Sequence, residues 1–356
     1  MLPPCHLAIL NFVRPFLCLL VLILPILPAL HAQTQADGQP SSSSSSVFPF
    51  ALVLDAAGFA ASAVEIWRPD WHVKLPPDAF RLLSGGSSRI TLEGEGFLLN
   101  FSHDPEGRVQ EFPFMLNGKM AQVSLDRQDG EIRKVILSFP ADENTWEFEL
   151  LEYQDFSPAG DLSFGKGFPA LVRASIGGAW YFITLTRWAE GITETWFDIE
   201  GNALGGYAFS LTRIGGNQRI RSIKNLFGDD NNLNLVYYYD SWGLINRISG
   251  PGGVYTVRYY RDALPRYWER QSTGGINGAF YFQWDAGGFL VRMVPGNENV
   301  EEPGGSARPV EYRFEYILDE RGNWIERREI RMIHQSGLLF PSPGTIFRRI
   351  LEYRRQ

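Results

Sequence analysis

The chain is poor in cysteine. Its two cysteines, Cys5 and Cys18, both lie at the N-terminus, and everything after them is cysteine-free. That excludes a disulfide scaffold, a thiol nucleophile and a Cys-ligated metal from the folded part. Histidine is nearly as scarce. Past the N-terminal segment only His72, His103 and His334 occur, far apart and without ligand-like spacing, so neither a metal site nor a cofactor is expected. Positive charge is also in deficit. Lys and Arg number 33 against 40 Asp and Glu, a net charge of −7, which argues against nucleic acid or anionic lipid as the main partner.

Aromatics, by contrast, are abundant at 14% of residues, with 10 Trp, 14 Tyr and 25 Phe, and the 36 Gly and 22 Pro suit many turns. Aromatic residues favour a pleated, half-buried surface. A short pattern recurs: aromatic residues, then Asp, two residues, Gly and an apolar residue. Tyr239-Asp240-Ser241-Trp242-Gly243-Leu244, Trp284-Asp285-Ala286-Gly287-Gly288-Phe289 and Leu318-Asp319-Glu320-Arg321-Gly322-Asn323-Trp324 are the clearest copies. Tyr260-Arg261-Asp262 is a further copy, with Leu264-Pro265 where Gly would fall. Asp bonds backbone two residues on and Gly supplies a positive φ, so each copy predicts a hairpin turn. The turns at Asp240, Asp262 and Asp285 are spaced by 22 and 23 residues. Two strands with their turns fill that length, which signals a repeat architecture.

Residues 1–32 read as a secretory signal. Phe16–Leu30 is uncharged and apolar, is shorter than the roughly 20 residues of a membrane-spanning helix, and is followed by a cleavage point after Ala32. Residues 33–46, ending in six serines, read as a flexible linker. Residues 47–165 are expected to be a degenerate β-hairpin region. Weak turn copies are expected there at Leu52–Phe59, at His103–Gly107 and at Leu125–Gly130, with a short helix at Pro76–Leu83. Residues 166–356 are the regular hairpin region, with a further weak turn at Trp196–Gly201. Along Val310–Leu318, Val310, Tyr312, Phe314, Tyr316 and Leu318 fall on one face and Glu311, Arg313, Glu315 and Ile317 on the other, as in an antiparallel strand with one packed and one wet side. The fold class is therefore all-β: consecutive antiparallel hairpins forming a large twisted sheet or shell.

From Leu233 to Arg331 the chain resembles YD-repeat proteins of the Rhs and teneurin type, through Tyr239-Asp240, Gly252-Gly253-Val254-Tyr255, Trp284-Asp285 and Leu318-Asp319 with their following glycines. The resemblance implies repeated hairpins wound into a sheet or shell, with roles in surface binding, adhesion or enclosure, and no catalytic residues.

Enzymatic signals are weak. No Gly-x-Ser-x-Gly elbow occurs, and acid pairs for glycoside cleavage can be drawn only loosely from Glu190, Glu194, Asp198 and Glu200. The Gly228–Asn232 loop is oxygen-rich but lacks EF-hand spacing. The reading is of an exported, non-catalytic protein of the periplasm or cell surface, binding an envelope protein or glycan and spanning no membrane after signal removal. The candidate ligand-binding residues are Trp242, Trp268, Trp284 and Trp324 with Asp240, Asp285 and Asp319. The alternatives are an outer-membrane β-barrel and a cryptic glycan hydrolase.

Overall fold

In a computed structural model, the described residues are 47–59, 79–82, 86–116, 119–140, 144–155, 167–188, 190–214, 217–227, 234–251, 253–260, 263–272, 275–296 and 309–354. The leader, the Ser-rich linker, His72, Asp262, the Gly228–Asn232 loop and half of the Pro76–Leu83 segment lie outside them.

The first element is a helix, α1 (Ala51–Phe59). Strands then follow without interruption by further helix among the described residues: β1 (Ser87–Gly94), β2 (Phe97–His103), β3 (Val109–Leu116), β4 (Lys119–Gln128), β5 (Glu131–Phe139), β6 (Asn144–Asp155) and β7 (Gly167–Ile176). Next come β8 (Ala179–Trp188), β9 (Gly191–Phe197), β10 (Ala203–Ile214), β11 (Asn217–Asn225), β12 (Leu235–Tyr239), β13 (Ile245–Gly250) and β14 (Gly253–Tyr259). The last are β15 (Pro265–Ser272), β16 (Gly275–Trp284), β17 (Leu290–Pro295), β18 (Pro309–Leu318), β19 (Trp324–Gln335) and β20 (Leu338–Tyr353). Each strand pairs antiparallel with the next, and β20 pairs antiparallel with β1 through Ile90↔Leu351 and Glu93↔Arg348. The expected run of hairpins is thus a closed 20-stranded barrel.

The alternation of side chains sets the wall's polarity. On β5, Ile132, Val135, Leu137 and Phe139 are buried, while Lys134 faces out and pairs with Glu147 of β6. Phe148 and Leu150 of β6 point in, and Glu149 points out to Arg173. The pattern persists to the far side, where Phe314 is buried and Arg313 pairs outward with Glu311. One large apolar cluster fills the barrel from β1 to β13 and closes onto Trp324 and Phe347. A smaller one, Val257, Trp268, Phe282, Leu290 and Phe314, lies under β14–β18.

The chain fills its own interior. Phe48 and Phe50, just before α1, contact Trp146, Phe148 and Trp196 of the wall. All but one of the residues Ala51–Ala57 are buried. This corrects one expectation: Leu52–Phe59 is helix, not a hairpin turn. Its local pattern resembles the turn signal, but a segment enclosed on all sides must satisfy its own backbone, and a helix does so. The Leu125–Gly130 turn also moves. Asp126 lies within β4, and the tight turn is Asp129-Gly130, both at positive φ (54° and 88°) as a two-residue hairpin requires.

Candidate functional site

In an up-and-down barrel, hairpins running from even to odd strands all turn at one end and the remainder at the other. Five of the even-to-odd turns share one geometry. In the β12–β13 turn the Asp240 N–H donates to the Leu244 carbonyl (2.9 Å) and the Gly243 N–H to the Asp240 carbonyl (3.1 Å). The same two bonds recur at Asp104, Asp285 and Asp319, with Gly107, Gly243, Gly288 and Gly322 near φ +80°. The Asp carboxylate takes the N–H four residues on, from Leu244 (3.0 Å), Phe289 (2.9 Å) and Asn323 (2.9 Å). The β14–β15 turn follows the same plan with Tyr260 in the Asp position and Ala263 (φ 63°) in the Gly position. Asp262 therefore does not occupy the capping position. The Trp196–Gly201 copy is a turn of this kind too, built on Asp198 at the opposite rim.

Beside each of these turns the sheet carries a bulge, and a side chain of the next even strand ties it down. Tyr259 donates to the Ile245 carbonyl (2.8 Å), Trp284 Nε1 to that of Pro265 (2.8 Å) and Tyr316 to that of Leu290 (2.7 Å). Each acceptor stands five residues after the capping position of the turn before it. Tyr239 on Ile220 (2.6 Å), Tyr153 on Ile132 and Arg127 on Val109 (3.2 Å) continue the series into the first half. Arg349 closes it on the Trp324 carbonyl (2.8 Å) while lying over the Trp324 ring and holding the carbonyls of Ala79 and Arg81.

The four tryptophans do not form a row. Trp324 is 2% and Trp268 is 6% exposed, and both are core residues; Trp284 is half-buried and bonded to Pro265; Trp242, at a turn tip, is 60% exposed. Asp240, Asp285 and Asp319 are committed to their own turns, and Asp319 also accepts the Tyr353 hydroxyl. Burial pushes Asp319 up, but the bonds from Tyr353, Asn323 and Arg321 outweigh it and hold its carboxyl below the usual range. Tyr260, at the neighbouring tip, is also exposed, with Arg266 over its ring.

Among the loosely paired acids, Glu194 is wholly buried inside the barrel. It accepts the N–H groups of Phe50 (3.0 Å) and Ala51 (2.8 Å) at the start of α1 and the Trp196 indole N–H (2.7 Å). Burial pushes its pKa up to about 7 against those three bonds. It anchors the plug. Asp198 bonds Asn202 at the rim, so these two acids serve separate structural ends. No group of three or more His, Cys, Asp or Glu that could hold a metal occurs among the described residues.

No family model matches the chain, and no curated protein does. Among solved structures, a porin-like protein from Bacteroides uniformis aligns over 75% of this chain and 98% of its own, with 11% identity and a TM-score of 0.32. The TcdB2–TccC3–Cdc42 complex aligns over 68% of this chain and 15% of the matched chain, with 9% identity and a TM-score of 0.26. Likenesses at this level share a β-rich architecture and no more.

Proposed function

We propose that the protein is an exported, non-catalytic envelope protein, a water-facing barrel that acts as a rigid scaffold and engages a partner protein or glycan through its exposed rims. The observation that carries this reading is the polarity of the wall. Apolar side chains and the protein's own N-terminal helix occupy most of the interior, beside a few buried polar groups such as Glu194, Arg327 and Arg349, while charged pairs such as Lys134–Glu147, Arg173–Glu149 and Arg348–Glu326 stand on the outside. A lipid-spanning barrel needs the reverse, an apolar outer band around a polar lumen, and each outward charge at mid-bilayer costs about 2–4 kcal/mol. The exposed rings of Trp242 and Tyr260 on adjacent turns supply the aromatic contact that a glycan or protein partner would use.

The second reading is an outer-membrane barrel. The closed circuit and even strand number favour it over an open repeat surface. Cell fractionation separates the two. Under the first reading the protein leaves the envelope on osmotic shock or alkaline carbonate washing. A strict requirement for detergent would replace that reading with the second. Binding of a glycan panel by the wild type, lost in Trp242→Ala, tests the rim contact.

A further inference from the structure

The rim opposite the Asp240 turn carries exposed apolar side chains, beside exposed acids at Glu95 and Glu200. Leu98 and Trp180 sit just past its β1–β2 and β7–β8 turns, Phe227 follows β11, and Leu338, Leu339 and Phe340 open β20; all are exposed. Topology places them together, because every odd-to-even hairpin turns at this end. Among the described residues, the β19–β20 ladder runs on past its pairing with both neighbouring strands. The rungs from β20 to β1 stop at Arg348, and β18 meets β19 no further along than Ile333. The ladder between β19 and β20 nevertheless runs on to Gln335↔Leu338, around a Ser336-Gly337 turn with both residues at positive φ.

Three features say what covers this tip. Leu338 is 63% exposed and Leu339 and Phe340 are each 45% exposed, in a run of three large apolar side chains. Between Ile330 and Leu351 there is no Asp or Glu, in a chain with 40 of them, so the hairpin tip itself brings no acid to be desolvated. Finally, Pro341 and Pro343 pair with Met332 and Ile330. Proline has no N–H, so the donors missing at these positions are withheld from strand addition along the free edge. A second copy pairing edge to edge is thereby disfavoured. A planar apolar phase, by contrast, accepts a projecting apolar hairpin tip without demanding a complementary shape.

We propose that the β19–β20 hairpin tip seats the protein on a phospholipid bilayer, with Leu338, Leu339 and Phe340 entering the interface between headgroups and acyl chains. The contact is peripheral and driven by apolar burial, not by net charge. It rests on the water-facing wall argued above and adds lipid as the partner.

The test is flotation of the exported chain, purified after leader removal, with vesicles of phosphatidylcholine alone and with about 30% phosphatidylglycerol, enough to expose any headgroup charge effect. Wild type is expected to float with both. The Leu338→Ser, Leu339→Ser, Phe340→Ser variant is expected to lose binding at least about tenfold, in line with the apolar area removed. Equal binding by the triple variant, or no binding by wild type, overturns the proposal. Should the variant misfold, Leu339→Cys labelled with NBD replaces it, the exported chain having no other cysteine, and a probe that neither brightens nor is quenched by brominated lipid overturns the idea. So would a wild-type dimer that the triple variant breaks, found without vesicle binding. Carbonate separates this proposal from the scaffold reading. Resistance to carbonate by both wild type and triple variant means a spanning barrel, and overturns both. Release of wild type without vesicle binding overturns this proposal alone.

Discussion

The Tyr259 hydroxyl donates to the Ile245 carbonyl at 2.8 Å, across from one hairpin to the previous one. The reason lies in the ladder. Rungs between β13 and β14 begin at Arg247↔Thr256, so Ile245 stands beyond the last of them, at the bulge beside the Asp240 turn. A partly buried carbonyl without a partner is costly, and the residue preceding the next turn supplies the donor. This is a physical account of why an aromatic residue precedes the turn in Tyr239-Asp240, Tyr259-Tyr260 and Trp284-Asp285. The ring supports one turn while its own backbone enters the next.

Removing that tie should therefore cost more than removing an exposed hydroxyl. Tyr259→Phe and Tyr316→Phe are each expected to lower unfolding free energy by about 1–2 kcal/mol. Tyr238→Phe, whose ring lies on the outer wall, should change it by less than about 0.5 kcal/mol. Urea denaturation of the three variants decides. Equal effects would mean the series has no energetic role.

The turns allow a test in both directions. At Gly322 (φ 79°) an added Cβ meets nothing within 4 Å, so Gly322→Ala isolates backbone strain and should destabilise by about 1 kcal/mol. Ala263 (φ 63°) holds the equivalent position in a turn that lacks Gly. Ala263→Gly should therefore leave stability unchanged or raise it by up to about 1 kcal/mol, against the usual direction of that substitution. Thermal melts that fell for Ala263→Gly would refute the shared geometry.

The turns were legible because their signal is local: Asp and Gly at fixed spacing specify a backbone shape wherever they fall. The alternation along Val310–Leu318 was legible for the same reason at Tyr312, Phe314 and Tyr316, which turn inward, but Val310 and Leu318, beside the bulges at the two ends, are exposed. Closure was not legible. The β1–β20 pairing joins residues more than 250 positions apart, and nothing in Ile90 or Leu351 names the other. The helix at Ala51–Phe59 was missed for a related reason. Its N-terminal cap is not a neighbouring Ser or Asp but Glu194, 143 residues from Ala51. The β4–β5 turn was misplaced by the attraction of Asp126, although Asp129-Gly130 carries the stronger two-residue hairpin signal.

Tryptophan truncations should divide by burial. Trp324→Ala, at 2% exposure, and Trp268→Ala, at 6%, are expected to destabilise by about 3–5 kcal/mol. Trp242→Ala, at 60% exposure, should cost less than about 0.5 kcal/mol. Acrylamide quenching offers an independent check: Trp242→Ala should remove a large share of the quenchable fluorescence, and Trp324→Ala almost none.

Glu194 makes the anchoring of the plug depend on pH. Burial raises its pKa from 4.5 to about 7 in the folded barrel. Below about pH 4.5 the group is protonated in both folded and unfolded chains, and its contribution to stability is fully present. As pH rises towards 7 the unfolded chain releases the proton while the folded chain retains it, so stability falls across that window, by about 3 kcal/mol for a shift of this size, and levels off above it. The sign is opposite to that of a salt-bridged surface carboxylate such as Glu326. The Arg328 hydrogen bond, aided by Arg348 and opposed by slight desolvation, holds that group below its ordinary range, so its contribution is lost as pH falls. Glu194→Gln removes the titration while keeping one acceptor for the Phe50, Ala51 and Trp196 donors. Guanidinium unfolding of wild type at half-unit steps from pH 4.5 to 7.5 should therefore slope downward, and the Glu194→Gln curve should be flatter by that amount. If the two slopes coincide, the carboxylate is already ionised inside the barrel, held by its three N–H donors and the start of the helix, and burial is not what governs it.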